Sequence, residues 1–464
     1  MVDIEYLFDD TQRVDETITR LKEKTLDIEP WSELLYDYEP TLHRIMNDHV
    51  SREDHAVNGR LDKAARITVG LEKLLVNRMV EFMVSIPVKR IYHNVDDDTD
   101  KQEIVKVIEA IYKRARINSE NIKRLREYFA TCEAVSIWYT IPSVNKEYGF
   151  ESRMKLRVNT YSPMAGYKLY PLFDEYNDMV AMSIEYERKD VSGNEITFFE
   201  TYTSQTHIKW RYDDGKWVEI ERTRITLMKI PCIYIYRPKP IYWGLSVLRD
   251  ELEYTLSRQS DVVAYNAAPI LKVTGEIMNE DENKGASRRL FRMEDGGDVS
   301  YVSWSQSTEA VKNHIDQLLK LFWMQGQMPD VSFEKLAGIG QVGYDARRLL
   351  FTDAHLKVND EKGSVVEFLE REGNVIKAFV KEIRTDLADK VDEIDIEHVI
   401  TPFIQDDEQL EINKGVAANG GKPLMSQRES IMRYGKSKDA DKTMQEIREE
   451  QAYTMQMAAQ VNNE

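Results

Sequence analysis

The chain has 464 residues, with 63 Lys and Arg against 81 Asp and Glu, a net charge of −18. That length allows several domains and a sizeable buried core. A surface of that sign repels phosphate, which excludes a protein that grips nucleic acid by bulk attraction but not one that a duplex merely slides past. Hydrophobic residues make up 42%, enough for folded domains. Cys132 and Cys232 are the only cysteines, too few for a disulfide scaffold or a four-cysteine zinc site, and they fit a reducing compartment. The opening MVDIEYLFDD is acidic where a signal peptide would be basic. The longest apolar-looking run, 225–236, contains Lys229 and Pro231 and is far short of a membrane span. The expectation is a soluble intracellular protein, or one that leaves the cell only by lysis.

Val14, Ile18 and Leu21 give weak helical spacing within 11–26. A clearer helix is predicted over 66–84, where Ile67, Leu71, Leu74, Leu75, Met79, Phe82 and Met83 fall on one stripe. It stops before Pro87, since the residue preceding proline is pushed out of the helical region. Asp96, Asp97, Asp98 and Asp100 read as a solvated turn, and two more helices fit 101–115 and 119–133.

From Val135 the period changes to two. Segments 135–141, 154–161, 179–187, 196–203, 207–213 and 216–222 are rich in β-branched and aromatic residues. Ser192-Gly193-Asn194 and Asp213-Asp214-Gly215 suit tight hairpins. Together they predict one antiparallel sheet module of about 100 residues, closed by the rigid turn Arg237-Pro238-Lys239-Pro240.

Helices then resume over 246–268, carrying Leu248, Leu252, Leu256 and Val263 and ended by Pro269. A second runs over 308–325 with Ile315, Leu318, Leu319 and Phe322, stopped by Pro329. Each is roughly 30 Å long at about 1.5 Å per residue. They bracket a small β-containing insertion, which predicts an antiparallel pair with a cap at its tip. A glycine-rich segment, 330–345, precedes a long helix predicted over 346–390, where Gly363 and Gly373 are candidate kinks. A strand is predicted within 394–404, and the polar, helical tail from Asp406 is broken at Gly420-Gly421 and Gly435.

No catalytic constellation emerges. Gly338-Ile339-Gly340-Gln341-Val342-Gly343 matches the dinucleotide pattern, but no buried strand precedes it and no second strand follows, so it reads as a loop whose glycines permit positive φ. A phosphate-binding loop of the G-x-x-x-x-G-K-[ST] type and a G-x-S-x-G nucleophile elbow are both missing. His43, His49 and His55 recur every six residues, which shares no helix face, so they read as polar surface residues. Asp392, Glu393, Asp395 and Glu397 resemble a nuclease-like acidic string, yet their alternation with Ile394 and Ile396 is that of a strand with one wet face. Lys284, Arg288, Arg289 and Arg292 form a basic cluster on an acidic background, either a solvated hairpin or a docking patch for an acidic partner.

Four stretches, in this order, resemble the portal protein of long-tailed bacteriophages. ARITVGLEKLLVNRMVEFMVSIPVKRIY (65–92) is similar to the family's early helix and the short strand after it. IPCIYIYRPKPIYWGLSVLRDELEYTLSRQSD (230–261) resembles the approach to the first stem helix. MPDVSFEKLAGIGQVGYDARRLLFTDAHLKV (328–358) resembles the tunnel loop and the start of the long helix. VITPFIQDDEQLEINKGVAANGGKPLMSQRESIMRYGKSKDADKTMQEIREEQ (399–451) resembles the final strand and crown. The chain departs from the family in lacking a Ser-Gly pair near the start of the long helix.

The resemblance implies an α+β, mainly helical portal fold with wing, stem, clip and crown. The wing would span 1–243, with N-terminal helices in 1–134 and the β-module in 135–243. Stem helices would occupy 244–268 and 308–328, the clip 269–307, the tunnel loop 329–345, the long wing helix 346–390, and the final strand and crown 391–464. It implies a homo-oligomeric ring of about twelve subunits at one capsid vertex of the virion, assembled in the host cytoplasm. Double-stranded DNA would pass through without sequence specificity. Terminase, head–tail adaptor, capsid and scaffold proteins would be the partners, with no cofactor, metal or catalytic residue. The DNA-facing loop would comprise Ser332, Phe333, Glu334, Lys335, Leu336, Ala337, Gly338, Ile339, Gly340 and Gln341. Lys284, Arg288, Arg289 and Arg292 would dock partners on the clip. Glu253, Arg258, Asp261, Lys312, Asp316 and Lys320 are the stem candidates. Their mixed signs fit a passage that must not grip phosphate, because affinity grows with every phosphate neutralised. The alternatives are another head–tail or baseplate ring, a metal-dependent nuclease acting through Asp392 to Glu397, and a monomeric scaffold for helical partners.

Overall fold

The computed structural model describes residues 8, 13–23, 26–50, 52–57, 60–95, 98–189, 193–266, 270–274, 277–280, 291–293, 298–302, 308–330, 349, 351–403, 416, 423, 425–434 and 440–461. They fall into two units, one within 1–338 and 350–403, the other within 339–349 and 404–464.

The first unit is layered. Helix α1 (Val14–Leu21) lays Ile18 and Leu21 on one face of a five-stranded antiparallel sheet, against Ala181, Phe199 and Trp210. That sheet runs in the order β10 (Lys216–Arg224), β9 (Thr206–Asp213), β8 (Glu195–Tyr202), β7 (Met179–Lys189), β6 (Lys168–Phe173). Its other face meets a three-stranded sheet, β11 (Cys232–Tyr236), β4 (Glu133–Asn145), β5 (Ser152–Tyr161). Leu169, Met182 and Ile184 pack there on Val135, Ile137, Cys232 and Tyr234. The far face of the small sheet, with Trp138, Leu156, Ile233 and Ile235, joins the main core of helices.

The single module expected from the sequence is therefore two sheets, and two strands escaped the reading. β6 carries Pro171, which breaks a strand pattern but is tolerated because β6 lies at a sheet edge. β11 is buried from Cys232 to Ile235 and so shows no alternation. The Asp213–Gly215 hairpin is as expected: Asp214 and Gly215 have φ of 45° and 83°, the left-handed pair that a two-residue hairpin loop demands.

Helix α2 (Trp31–Tyr38) and the single turn α3 (Arg44–Asn47) precede a small hairpin, β1 (His55–Val57) and β2 (Arg60–Asp62). The main core is built on α4 (Leu71–Val84), α5 (Thr99–Ala115), α6 (Ile117–Thr131), α7 (Ser246–Asn266), α8 (Thr308–Gln325) and the long α9 (Thr352–Ile383). α4 begins five residues later than predicted, because 65–69 is drawn out along α7. α9 stops at Ile383 rather than 390, and only one turn, α10 (Ala388–Val391), follows. Neither Gly363 nor Gly373 interrupts it. A Cβ at Gly373 would stand 3.5 Å from the His398 ring and 3.7 Å from Ile396, ordinary contact distances, so the helix passes these neighbours without requiring glycine there.

Strand β16 (Asp395–Val399) pairs antiparallel with β3 (Lys89–His93). Asp395 and Glu397 are exposed while Ile396 and His398 are buried, the one-wet-face alternation expected. Asp98 caps α5, accepting from the amides of Asp100 (2.9 Å) and Lys101 (3.4 Å), and Lys390 pairs with Asp98 and Asp100. This stretch is a cap and an ion-pair site rather than a merely solvated turn. Asp96 and Asp97 lie outside the described residues.

In the second unit, α11 (Gln427–Tyr434) opens on a capping box. Glu429 N donates to Ser426 Oγ, and Ser426 N donates to Glu429 Oε2 at 2.9 Å. Arg428 joins α11 to α12 (Ala440–Val461) through Asp441 at 2.6 Å. The chain is thus a mixed α+β protein with antiparallel sheets. Among the described residues no helix is long and apolar enough to cross a membrane.

Candidate functional site

Helices α7 and α8 pack on one another, and Glu251 and His314 approach to 3.6 Å between them. The chain leaves α7 and returns to α8 through two nested antiparallel strand pairs. β12 (Ile270–Thr274) runs beside β15 (Asp298–Val302), and β13 (Ile277–Glu280) beside β14 (Phe291–Met293). A helix pair of about 30 Å with a ribbon between its arms is the most distinctive feature of the molecule.

The pair is fastened to the body at two places. Along α7, the extended stretch 65–69 offers every second backbone amide to every fourth side chain of the helix. Val69 N donates to Glu253 Oε1 (2.8 Å), Ile67 N to Ser257 Oγ (2.9 Å) and Ala65 N to Asp261 Oδ1 (2.9 Å). The spacing matches because two extended residues advance about 6.6 Å and four helical residues about 6 Å. Arg52 closes the far end, donating to Asp261 Oδ2 and to Ala65 O, each at 2.5 Å.

At the near end lies a buried polar knot. His43 and Glu253, both fully buried, meet at 2.6 Å, and His43 Nε2 faces Asp37 O at 3.1 Å. Arg249, 2% exposed, donates to Glu72 Oε1 (3.0 Å), Asp37 O (2.9 Å) and Asp250 Oδ1 (2.8 Å). Burial pushes the Glu72 carboxyl up to about 7, against the pull of the Arg249 guanidinium.

The second fastening holds the end of α8 on α4. Phe322, Trp323 and Met328 enter the main core. Arg78 stacks 4.2 Å from the Trp323 ring and donates to Pro329 O at 2.8 Å. One turn along α4, Phe82 packs on Phe351 (centroids 5.6 Å apart) at the head of α9, and its carbonyl accepts from Phe403 N at 2.8 Å.

The structure sorts the sequence-derived candidates. Glu253 is buried on His43 and Val69 and so holds the subunit together, while Asp261 holds Ala65 and Arg52 with its side chain still 40% exposed. Arg258, Lys312, Asp316 and Lys320 are exposed, leaving a face of mixed sign. His43 is no surface residue; among that series His49 is exposed, and the side chain of His55 lies outside the described residues. Ser332 through Gln341, with Lys284, Arg288 and Arg289, also lie outside the described residues, while Arg292 stands in β14 opposite Asn279. The acidic string is divided among separate partners, Asp392 paired with Lys381, Glu393 with Lys101, and Glu397 in hydrogen-bond contact with His93. Among the described residues no group of three or more His, Cys, Asp or Glu is placed to hold a metal ion. The Arg249–Glu72 and His43–Glu253 contacts had no sequence signal, since their partners stand 177 and 210 positions apart.

A family model described as "Phage portal protein, SPP1 Gp6-like" matches residues 16–457. No curated protein matches the chain. Among solved structures it is similar to one described as "Neck of empty GTA particle computed with C6 symmetry", at 10% identity and a TM-score of 0.41, covering 85% of this chain and 94% of that one. It is also similar to "Virion of native gene transfer agent (GTA) particle", at 11% identity and a TM-score of 0.39, covering 90% and 97%.

Proposed function

Because the chain belongs to the SPP1 Gp6-like family of phage portal proteins, structural proteins of the head–tail connector, we propose that its copies close into a ring whose passage admits the genome during packaging, retains it, and releases it on ejection. The observation that carries this reading is the packed pair α7 and α8, fastened to the body and bearing a strand ribbon between its arms. Repeated around a closed ring, such pairs make a continuous wall.

In this reading 244–268 and 308–328 are the stem, 269–307 the clip, 1–243 and 346–390 the wing, 329–345 the tunnel loop, and 391–464 the last strand and crown. The exposed charges of the pair, Glu251, Arg258, Glu309, Lys312, Asp316 and Lys320, alternate in sign, so they supply no field that would hold phosphate in place. The ring would sit at one capsid vertex of the virion, after assembly in the host cytoplasm. Terminase and later head–tail adaptors would dock on the clip, with capsid and scaffold proteins around the wing. Negative-stain images of the purified protein test the core of it: a wide-bodied ring with a narrow stalk supports the reading, and a monomer overturns it.

Two variants probe the parts. Deleting 333–341 should leave rings that assemble normally but package or retain less DNA; failure of assembly would show the segment to be core. Replacing Arg288 and Arg289 by Glu should weaken terminase or adaptor binding about tenfold, the scale of two reversed rim charges, without changing the melting temperature. Unchanged binding would return the cluster to a solvated hairpin.

A further inference from the structure

The stretch 65–82 touches both helices of the proposed channel wall and the head of α9. Its first five residues run along α7, Glu72 receives Arg249 of α7, Arg78 holds the end of α8, and Phe82 packs on the head of α9. We propose that residues 65–82 are a bracket that fixes the axial register of α7 on the subunit body, with Glu253, Ser257 and Asp261 as positioning residues acting through the amides of Val69, Ile67 and Ala65. The inference rests on reading α7 and α8 as the channel wall.

The argument is geometric. A helix packed by apolar side chains alone can slide along its axis at modest cost, because dispersion contacts are many and interchangeable. Three hydrogen bonds spaced at four-residue intervals are not interchangeable. A slip of one or two residues along α7 removes all three acceptors together. It also leaves Glu253, fully buried, away from both the Val69 amide and His43. Unpartnered buried charge is among the costliest defects a fold can carry. The stretch cannot simply follow the helix, because it runs directly into α4, whose Leu75, Val76 and Met79 are fully buried in the main core. Its other edge is pinned by Asp54, which accepts from Ala64 N and from Arg66 Nη1 at 3.0 Å each, and by Arg52 O, which accepts from Arg66 Nη2 at 2.7 Å. A duplex moving through the passage drags axially on its wall, and the rungs oppose that direction of motion.

Ser257 is the rung to test, because it is neutral and its truncation strands no charge. In Ser257→Ala, hydrogen exchange at the Ile67 amide should quicken by about tenfold, the scale of one lost hydrogen bond. Ser257→Thr, which keeps a hydroxyl acceptor, should restore it. Asp261→Ala should do the same at Ala65. Rings of Ser257→Ala should assemble and melt as the wild type does, yet package less DNA per ring, with Ser257→Thr restoring packaging. Unaltered exchange at Ile67 would show that α7 does not hold this stretch. Faster exchange with wild-type packaging would overturn the bracket while leaving the channel reading intact. Wild-type rings that package no DNA would sink the channel reading and the bracket's role with it.

Discussion

Arg124→Met should destabilise the protein by about 3–5 kcal/mol, the scale of a buried carboxylate stripped of its cation. Arg124 on α6 is 2% exposed and Glu372 on α9 is fully buried. They meet as a fork, Nη1 to Oε1 at 2.6 Å and Nη2 to Oε2 at 3.0 Å. The guanidinium also lies 4.4 Å from the Phe368 ring centroid and donates to Asn121. Trp138 of β4 adds an indole N–H to Glu372 Oε1 at 3.1 Å. One carboxylate thus ties a helix, a sheet and the long helix together at the centre of the main core. The companion variant Arg124→Met/Glu372→Met should recover most of the loss. It leaves the Trp138 N–H without its acceptor, a residual cost of about 1–3 kcal/mol. Urea denaturation of the two variants measures both figures. A loss below about 1 kcal/mol for the single change would mean that water reaches the pair.

Many of the individual elements were legible because they follow from periods that side chains impose. The period-two runs became strands of the two sheets, β16 kept its wet and dry faces, and α8 runs from Thr308 to Gln325 as its apolar spacing and Pro329 require. What stayed hidden was decided by the backbone. Ile67, Leu71 and Leu74 continue one helical stripe, yet 65–69 is extended, because its amides find acceptors on a helix 184–196 positions away. Periodicity counts side chains and is blind to that competition. His43 failed for a related reason. Its neighbours spell a polar surface, and its burial rests on two partners that the pattern does not reveal, Glu253 and the Asp37 carbonyl. As for the site, sequence pointed to the α7–α8 pair and to Glu253 and Asp261 within it, but their partners His43, Val69, Ala65 and Arg52 stand 184–210 positions away and leave no trace in the local pattern.

The buried interior also contributes two opposed responses to acid. Burial holds the His398 ring at about 4, with Glu372 pulling upward and Arg90 and Arg124 downward, well below the 6.5 of a free imidazole. Tyr112 lies 3.4 Å from its Nε2, and Glu109 is engaged by Arg90 nearby. Between pH 6.5 and 4 the unfolded chain binds this proton and the folded chain does not, so stability falls as pH falls through that window. The gap corresponds to about 3 kcal/mol at 1.36 kcal/mol per unit. Glu72 acts in the opposite sense. Its folded value of about 7 exceeds the 4.5 of a free carboxyl, so the folded chain binds the extra proton and gains stability as pH falls from 7 to 4.5. The two largely offset each other in the intact protein, and separating them is the test. His398→Gln keeps an acceptor for Tyr112 and cannot titrate. Relative to wild type, it should gain about 3 kcal/mol between pH 7 and pH 4. Glu72→Gln should instead become more acid-sensitive than wild type over the same range. Parallel stability–pH curves for wild type and His398→Gln would mean that the ring is solvated and titrates normally. The opposite slopes of the two variants would assign these two contributions to separate points, the α9–β16 contact and the anchor of α7.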